Sequence, residues 1–319
     1  MCSVGSGTLG FLGKRLEKQN GGIVMELLPV QNPVLDLEPR FSVRDPALIW
    51  HDGLFHCFFT LVENVGDSVV LRLAESTSKD LSHWSDHRIL ADGRENFSSP
   101  GNLLKVGDEW VMCLQSYPST PGSIYGGEQS RLWTMRSRDL VSWDAPRVMR
   151  EEGCTAAWNR GSRRQIDPYL VEWNGKFWCL YKNSGCLGLM VSEDLIHWEE
   201  GSPEKPVLSP DDTPDHASVE NPCVVSTPDG FVLFFAPCRE GRGIGVARSD
   251  CLGEWKEIHY VDFPAVPWAD GGPTAPMVLD LRNEWGVWVM AYHGDRGERF
   301  GAAMGIAFSK DLEHWSEKL

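Results

Sequence analysis

A seven-residue pattern, Ser-x-Asp-Leu-x-x-Trp, recurs along the chain and restricts its fold more than any other feature. A degenerate fifth copy has its aspartate one position early. The copies are Ser78–Trp84, Ser137–Trp143, Ser192–Trp198, Ser249–Trp255 (degenerate) and Ser309–Trp315. Successive tryptophans lie 55 to 60 residues apart, at positions 84, 143, 198, 255 and 315. A regular period of this length predicts a repeat architecture in which every unit is one supersecondary element.

Each unit has the same interior. An x-Pro step precedes a short apolar segment, a polar turn follows, and two further segments lead into the Ser-x-Asp-Leu turn. The steps are Asp45-Pro46, Ser99-Pro100, Asp167-Pro168, Asn221-Pro222 and Ala275-Pro276. Short apolar segments joined by polar turns predict antiparallel strands. We expect the x-Pro step to open the first strand of each unit and the repeated tryptophan to start the fourth.

Four antiparallel strands repeated at a constant period predict an all-β fold, a five-bladed β-propeller with four antiparallel strands per blade. The prediction places a single domain at residues 22–319 and a disordered arm at residues 1–21. The apolar stretch Ile23–Val30 is expected to pair with the last blade and close the ring. The five repeated tryptophans are predicted to pack the blades.

Composition and charge exclude several classes of protein. The chain has 45 acidic and 30 basic residues, a net charge of −15, which argues against nucleic-acid binding. The longest apolar runs, such as Phe231–Cys238, are too short to cross a membrane. No signal peptide is visible, and the nine cysteines contain no C-x-x-C pair. These features predict a cytoplasmic protein of a reducing compartment with no membrane partner.

Three carboxylates stand at equivalent places in the repeat. Asp45, Asp167 and Glu220 lie at the beginning of the first strands of blades one, three and four. First strands line the channel of a propeller, so these acids are expected to meet at one mouth. Like charges in one site disfavour one another's ionisation, and a fold accepts them mainly where carboxyl groups need different protonation states. Glycoside hydrolysis is the leading use; the alternative is that each Asp-Pro caps a strand start.

With these acids, the chain resembles glycoside hydrolase family 43 and its relatives in the arabinanase, invertase and levansucrase superfamily, over residues 35–319. The resemblance implies that Asp45 is the general base, Asp167 tunes the pKa of its partner, and Glu220 is the general acid of an inverting reaction. Glu220 keeps the family's position two residues before proline. Charge repulsion from Asp167 is expected to raise the pKa of Glu220 and keep it protonated.

Further site residues follow from the resemblance and from aromatic character. Tyr292-His293 resembles the family's Tyr-His, whose imidazole points into the channel and often contacts a metal; no cofactor is required, but a Ca²⁺ ion in the central channel is compatible with it. Trp158 and Trp268 lie outside the repeat positions and are predicted to stack on a sugar ring, with packing as the alternative. The predicted substrate-binding residues are Arg44, Trp158, Trp268, Tyr292 and His293.

The chain departs from the family pattern in blade two, where Ser98-Ser99-Pro100-Gly101 replaces Trp-Ala-Pro. The motifs of the invertase branch are absent, which makes a fructosidase less favoured. The insertion Tyr117–Gln129 is expected to wall one side of the pocket and favour exo action on small oligosaccharides. Arabinofuranosides, xylosides and galactosides are the substrates that the resemblance implies.

Two other functions remain open at this point. Arg160, Arg163 and Arg164 precede Asp167 and would suit phosphate, so a glycoside phosphorylase is one alternative. A non-catalytic carbohydrate-binding propeller is another, although such a protein has no use for three converging acids. The sequence indicates an oligosaccharide as the partner and does not define an oligomeric state.

Overall fold

The computed structural model describes residues 30–91, 95–119 and 122–318. Within these ranges the chain forms five sheets of four antiparallel strands each, and every sheet is built from four consecutive strands. The predicted five-bladed β-propeller is therefore confirmed. The strands are β1 Phe41–His51, β2 Leu54–Val65, β3 Ser68–Ser78, β4 Arg88–Ala91, β5 Leu103–Val106, β6 Glu109–Gln115, β7 Leu132–Ser137, β8 Arg147–Val148, β9 Ile166–Trp173, β10 Lys176–Asn183, β11 Cys186–Ser192, β12 Glu199–Glu200, β13 Ser218–Thr227, β14 Gly230–Cys238, β15 Gly245–Ser249, β16 Lys256–Tyr260, β17 Gly272–Leu281, β18 Val287–Asp295, β19 Ala302–Ser309 and β20 Trp315–Ser316.

The second strand of blade four and the third strand of blade five are buried on both faces. In β14 every residue from Phe231 to Pro237 is buried, and all eight residues of β19 are buried. A strand covered on both faces loses the alternation of polar and apolar residues and becomes a continuous apolar run. The cores between blades arise in this way, and the short outer fourth strands are the most exposed.

The repeated Ser-x-Asp-Leu-x-x-Trp segment is a tight turn between the third and fourth strands. Ser78 Oγ accepts the N–H groups of Asp80 and Leu81, at 3.2 and 2.9 Å. Asp80 Oδ1 accepts the next two N–H groups, and the indole of Trp84 donates to the Leu81 carbonyl at 3.1 Å. The leucine is fully buried with a φ of 64°. The motif recurs because each position satisfies a backbone group or fills the core.

Ring closure uses residues just after the predicted segment. Val34 donates its N–H to the carbonyl of Met304, and the Asn32 side chain pairs with the backbone of Ile306, so residues 32–35 run beside β19. They lie where the two-residue strand β20 leaves β19 uncovered. The predicted arm (1–21), the domain start at residue 22 and all of Ile23–Val30 except its last residue lie outside the described residues.

The x-Pro steps do not open the first strands, as the sequence suggested, except in blade two, where β5 begins after Pro100. In the other four blades they lie inside the strand, where the ladder register shifts. The residue before each proline has a left-handed φ of 45° to 53°: Asp45, Ser99, Asp167, Asn221 and Ala275. Bulges of this kind re-aim side chains, and all five steps line the same central cavity.

Candidate active site

The three predicted acids come together at this cavity. Asp45 and Asp167 line it directly, and Glu220 immediately precedes the lining residue Asn221. Each carboxyl group lies close enough to feel the charge of the others: Glu220 acts on Asp45, and both act on Asp167. The ring therefore converts positions 122 and 53 residues apart in the chain (45, 167 and 220) into one site.

Asp45 is held on both sides. Thr60 Oγ1 donates to its Oδ2 at 2.8 Å, and its own N–H donates to Nδ1 of His293 at 3.0 Å. Burial raises the pKa of the Asp45 carboxyl above its ordinary value, against the opposing effects of Arg44 and the Thr60 hydrogen bond. The carboxyl is thus oriented and is easier to protonate than an exposed aspartate.

Asp167 is held by blade two. Its N–H donates to Gln115 Oε1 at 2.8 Å, and Ser99 Oγ donates to its Oδ1 at 3.3 Å. Burial raises the pKa of Asp167 to about 6; Lys182 opposes this shift, and the charges of Glu220 and Asp45 add to it. A carboxyl group with this pKa exchanges protons close to neutral pH.

Two hydroxyl groups join the first two acids. The Ser99 N–H donates to Thr60 Oγ1 at 2.7 Å, so the hydrogen bonds run from Asp45 through Thr60 and Ser99 to Asp167. The connection crosses blades one, two and three. The Ser99-Pro100 step of blade two, which lacks an acid, therefore supports the acids on either side.

Glu220 has two cationic partners. Lys182 Nζ bonds Oε2, and Arg242 Nη1 donates to Oε1 at 2.6 Å. Arg242 is oriented in turn by Asp295, whose Oδ2 accepts from Nε at 3.0 Å. Burial alone would raise the pKa of Glu220, but Lys182 and Arg242 outweigh it and lower the pKa to about 2. The expectation that repulsion from Asp167 keeps Glu220 protonated is wrong for this structure, because two nearby cations act more strongly than one carboxylate.

Sequence reasoning missed Lys182, Arg242, Asp295, Thr60 and Gln115. One signal was available for the lysine, since Lys182 directly follows the aromatic and apolar run 177–181 inside strand β10. A charge in a buried strand requires a partner. The other four residues carry no comparable local signal.

Three predicted substrate-binding aromatics make packing contacts within the blades. Trp158 stacks on the fully buried Tyr181 at 6.1 Å between centroids, and Trp268 stacks on Tyr292 at 6.0 Å. Tyr292 is itself fully buried, and its phenol donates to Glu317 at 3.2 Å. Each tyrosine faces a glycine on the next strand, which leaves room for the stacked pair. The full burial of Tyr292 is explained by packing, whereas Trp158 and Trp268 are half-buried and their stacking on a sugar ring stays a prediction.

The remaining predicted residues divide between the site and the surface. The Arg44 guanidinium lies 5.3 Å from the centroid of the Phe300 ring, and His293 is 1% exposed behind Asp45. Arg160 and Arg163 are exposed, whereas Arg164 donates to the Tyr117 hydroxyl at 3.0 Å. The arginine cluster is therefore not a single anion site.

A Ca²⁺ ion in the central channel would need oxygen ligands from the residues around it. His293 Nε2 is buried and has no hydrogen-bond partner among the described residues. In the same ranges no group of three or more His, Cys, Asp or Glu side chains could hold a metal ion. Calcium takes six to eight oxygen ligands, so these side chains do not fit a protein-built cage. The channel ion and the metal role of His293 remain predictions, and no step below uses them.

The chain is similar to known carbohydrate-active proteins. No family model matches it. Over 164 residues it is 23% identical to arabinan endo-1,5-α-L-arabinosidase A of Aspergillus aculeatus, a match that covers 50% of this chain and 46% of that relative. The matched segment thus spans less than half of the curated relative.

Solved structures resemble it over most of its length. A thermostable family-43 glycoside hydrolase superposes with a TM-score of 0.61 at 16% identity, covering 88% of this chain and 94% of the other. A second structure comes from GH130, described as a family of mannoside phosphorylases that contains glycoside hydrolases targeting β-1,2 mannosidic linkages in Candida mannan. It superposes with a TM-score of 0.66 at 15% identity, covering 89% of this chain and 92% of the other. The chain has the propeller fold of these proteins, as the resemblance to family 43 predicted.

Two further features outside the site are the membrane-spanning potential of the chain and the state of its cysteines. Across the described ranges, no helix has the length and apolar character needed to span a membrane. The eight cysteines in those ranges are free thiols.

Proposed function

We propose that this protein is a glycoside hydrolase that cleaves O-glycosidic bonds at the channel of the propeller. The observation that carries the proposal is the convergence of Asp45, Asp167 and Glu220 in one cavity with separated pKa values. A glycosidase needs two carboxyl groups, one to protonate the leaving oxygen and one to activate water or attack. A binding propeller needs no such set.

The proposed roles are those implied by the resemblance. Asp45, oriented by Thr60 and His293, removes a proton from the attacking water. Glu220 donates a proton to the leaving oxygen, and Asp167 is the residue that tunes the pKa of its partner. The reaction inverts configuration, which requires a separation of roughly 6.5–9.5 Å between the carboxyl groups of base and acid to admit a water.

The acid role sets a condition on Glu220. A carboxyl group with a pKa of about 2 is ionised at neutral pH and holds no proton to donate. Its pKa rises when Lys182 or Arg242 moves away, because those cations stabilise the carboxylate. We therefore propose that substrate hydroxyl groups displace Lys182 from Glu220 in the reacting complex.

The substrate is proposed to be a small oligosaccharide cleaved from its end. The similarity to an arabinan endo-1,5-α-L-arabinosidase makes α-L-arabinofuranosides the first choice, with β-D-xylosides and galactosides next. Exo action is favoured because Tyr117 and Tyr125 of the insertion contact Phe300 in the β18–β19 loop of blade five, and we expect this contact to restrict access from one side.

The decisive experiment is a panel of aryl glycosides incubated with the full chain, in the presence and absence of inorganic phosphate. Hydrolysis without phosphate, abolished in Glu220→Gln, supports the proposal. Sugar phosphate as the product identifies a phosphorylase, the alternative that the GH130 similarity keeps open. Binding without turnover across the panel overturns the proposal in favour of a carbohydrate-binding propeller. Proton NMR of the first-formed anomer decides between inversion and retention.

A further inference from the structure

Three aromatic side chains from two loops meet beside the acids. Phe300, in the loop between β18 and β19 of blade five, lies edge-on to Tyr125 at 5.4 Å and to Tyr117 at 6.5 Å between centroids. Tyr117 and Tyr125 belong to the insertion of blade two. We infer that Phe300 and Tyr125 form an aromatic platform that binds the apolar face of a sugar ring adjacent to the bond being cleaved. This inference rests on the proposed function.

The platform borders the catalytic carboxyl groups on two sides. Arg44, which directly precedes Asp45, places its guanidinium 5.3 Å from the Phe300 centroid. On the other side, the Tyr117 hydroxyl accepts from Arg164 and feels the charges of Asp167 and Lys182. These contacts place the platform on the side of the site that carries Asp45 and Asp167, next to where the bond to be cleaved would be held.

The exposure of these rings suits a ligand with an apolar face. Tyr125 is 61% exposed and is the one aromatic among the exposed large hydrophobic side chains of the described ranges. Tyr117 is buried, and Phe300 is half-buried on a small core that includes Ile166, the residue before Asp167. Tyrosine combines an apolar face with a polar tip, and Arg44 adds N–H donors for hydroxyl groups, which together match a sugar.

The loop that carries Phe300 is held in place from blade one. Arg299 and Phe300 both have left-handed φ values, 56° and 61°, which bulky residues rarely adopt. Arg299 Nη2 donates to the carbonyls of Gly66 and Ser68 in the β2–β3 turn, at 2.6 and 2.9 Å. Backbone strain of this kind persists only where surrounding contacts maintain it. The contacts present the Phe300 ring to the insertion.

The insertion is folded back against the same place. A Cβ on Gly126 would lie 2.7 Å from the Tyr117 ring, so the chain passes directly over that tyrosine. Glu128 accepts hydrogen bonds from the Ser162 hydroxyl and the Arg163 N–H, which tie the insertion to the segment before β9. Both halves of the platform are therefore anchored to the blades that carry Asp45 and Asp167.

The test measures affinity in the Glu220→Gln background, where turnover does not interfere. The probes are linear α-1,5-arabinotriose and arabinose; if the aryl-glycoside panel selects another sugar, the matching trisaccharide and monosaccharide replace them. Phe300→Ala and Tyr125→Ala are expected to weaken trisaccharide binding about tenfold, which corresponds to ~1.4 kcal/mol, and to affect the monosaccharide much less. Tyr125→Trp should retain trisaccharide affinity.

Val141→Ala is the matched control, because Val141 is equally exposed (62%) on the turn after β7. It should bind both sugars as the parent does. Trisaccharide affinity that is unchanged in both alanine variants, or a parent that binds no sugar, overturns the platform. If the protein hydrolyses no glycoside but still binds the trisaccharide more tightly than the monosaccharide, the proposed function is overturned and the platform is not.

Discussion

The main-chain N–H of Asp45 donates a hydrogen bond to Nδ1 of His293 at 3.0 Å, between two residues 248 positions apart in the chain. Because a backbone N–H can only donate, Nδ1 is an acceptor and the proton of the neutral ring is on Nε2. Burial, with help from Arg44 and Arg242, lowers the pKa of His293 well below its ordinary value. The 3.7 Å approach of Nδ1 to Asp45 Oδ1 is therefore not an ion pair. His293 is a positioning residue for Asp45.

His293→Leu is expected to leave the Asp45 N–H without an acceptor and to lower the free energy of unfolding by about 1–3 kcal/mol. Asparagine can offer an oxygen near the position of Nδ1, so His293→Asn should retain more stability and more turnover. Urea unfolding and turnover of the best aryl glycoside measure both effects. Equal behaviour of the two variants would contradict the positioning role.

Asp45→Asn and Glu220→Gln should each reduce turnover by about 10²–10⁴-fold, because general acid–base catalysis contributes on this scale. Asp45→Asn keeps the shape and an acceptor oxygen, so its melting temperature should change by only a few degrees, on the order expected for a small loss of stability. Glu220→Gln turns an amide N–H toward Lys182 or Arg242 and should lower the melting temperature more. Glu109→Gln is the control, since Glu109 forms surface ion pairs with Arg136 and Arg138. Full turnover in either active-site variant would refute the assigned roles.

Lys182→Met tests whether Glu220 reacts as a protonated acid or as a carboxylate. Removal of the cation raises the pKa of Glu220 from about 2. If Glu220 is the acid, the alkaline limb of the kcat/KM profile moves to higher pH, because more of the carboxyl remains protonated. If Glu220 acts as a carboxylate, activity falls at acidic pH instead. Lys176→Met, at the exposed start of the same strand, should leave the profile unchanged.

Asp167 makes stability depend on pH in a defined direction. Its pKa is about 6 in the folded protein, above its ordinary value of 3.8, so the folded state binds the proton more tightly. Stability contributed by the protonated form is complete below pH 3.8 and is lost as pH rises through 6. Asp167→Asn should remove this loss. The unfolding free energy of the variant, relative to that of the wild type, should therefore be higher at pH 7.5 than at pH 4 by on the order of 1 kcal/mol. Thermal melts at the two pH values measure this effect, with Asp250→Asn as the exposed control. If the two variants respond to pH alike, the raised pKa of Asp167 is disproved.

Gly101 is required where blades two and three approach each other at the channel. A Cβ at this position would lie 1.6 Å from the backbone oxygen of Pro168, which cannot move without displacing Asp167. Gly101→Ala should therefore cost about 3 kcal/mol of unfolding free energy, as severe overpacking does, and also reduce turnover. Gly253→Ala meets nothing within 4 Å and is the control. A Gly101→Ala variant as stable as wild type would show that the blades can separate there.

Sequence reasoning reached the fold and the three acids because both depend on repetition. The Ser-x-Asp-Leu turn uses bonds within seven residues, so four blades display the same letters at the same spacing, and the copy in blade four differs from them in the position of its aspartate. The acids could be aligned through the x-Pro steps of the repeat. The steps themselves were misplaced at strand starts, because a proline with a left-handed preceding residue is a bulge that only the ladder register reveals.

The contacts of the aromatic residues could not be predicted from local sequence patterns. Trp158 and Trp268 stand outside the repeated turn, which suggested sugar stacking, but each covers a tyrosine that faces a glycine on the neighbouring strand. The platform of Phe300 and Tyr125 joins blades five and two, and no periodicity links those positions.

The sequence by itself determined the number of blades, the strand order within each blade and the three carboxyl groups at the channel, because these follow from patterns local to one repeat. Only the tertiary structure decided the charge state of the site. Lys182 meets Glu220 across 38 residues and Arg242 joins Glu220 to Asp295, so the pKa of the expected acid falls instead of rising. The Lys182–Glu220 and Arg242–Asp295 contacts join neighbouring blades, and electrostatic interactions depend on distance and burial in space, not on spacing along the chain.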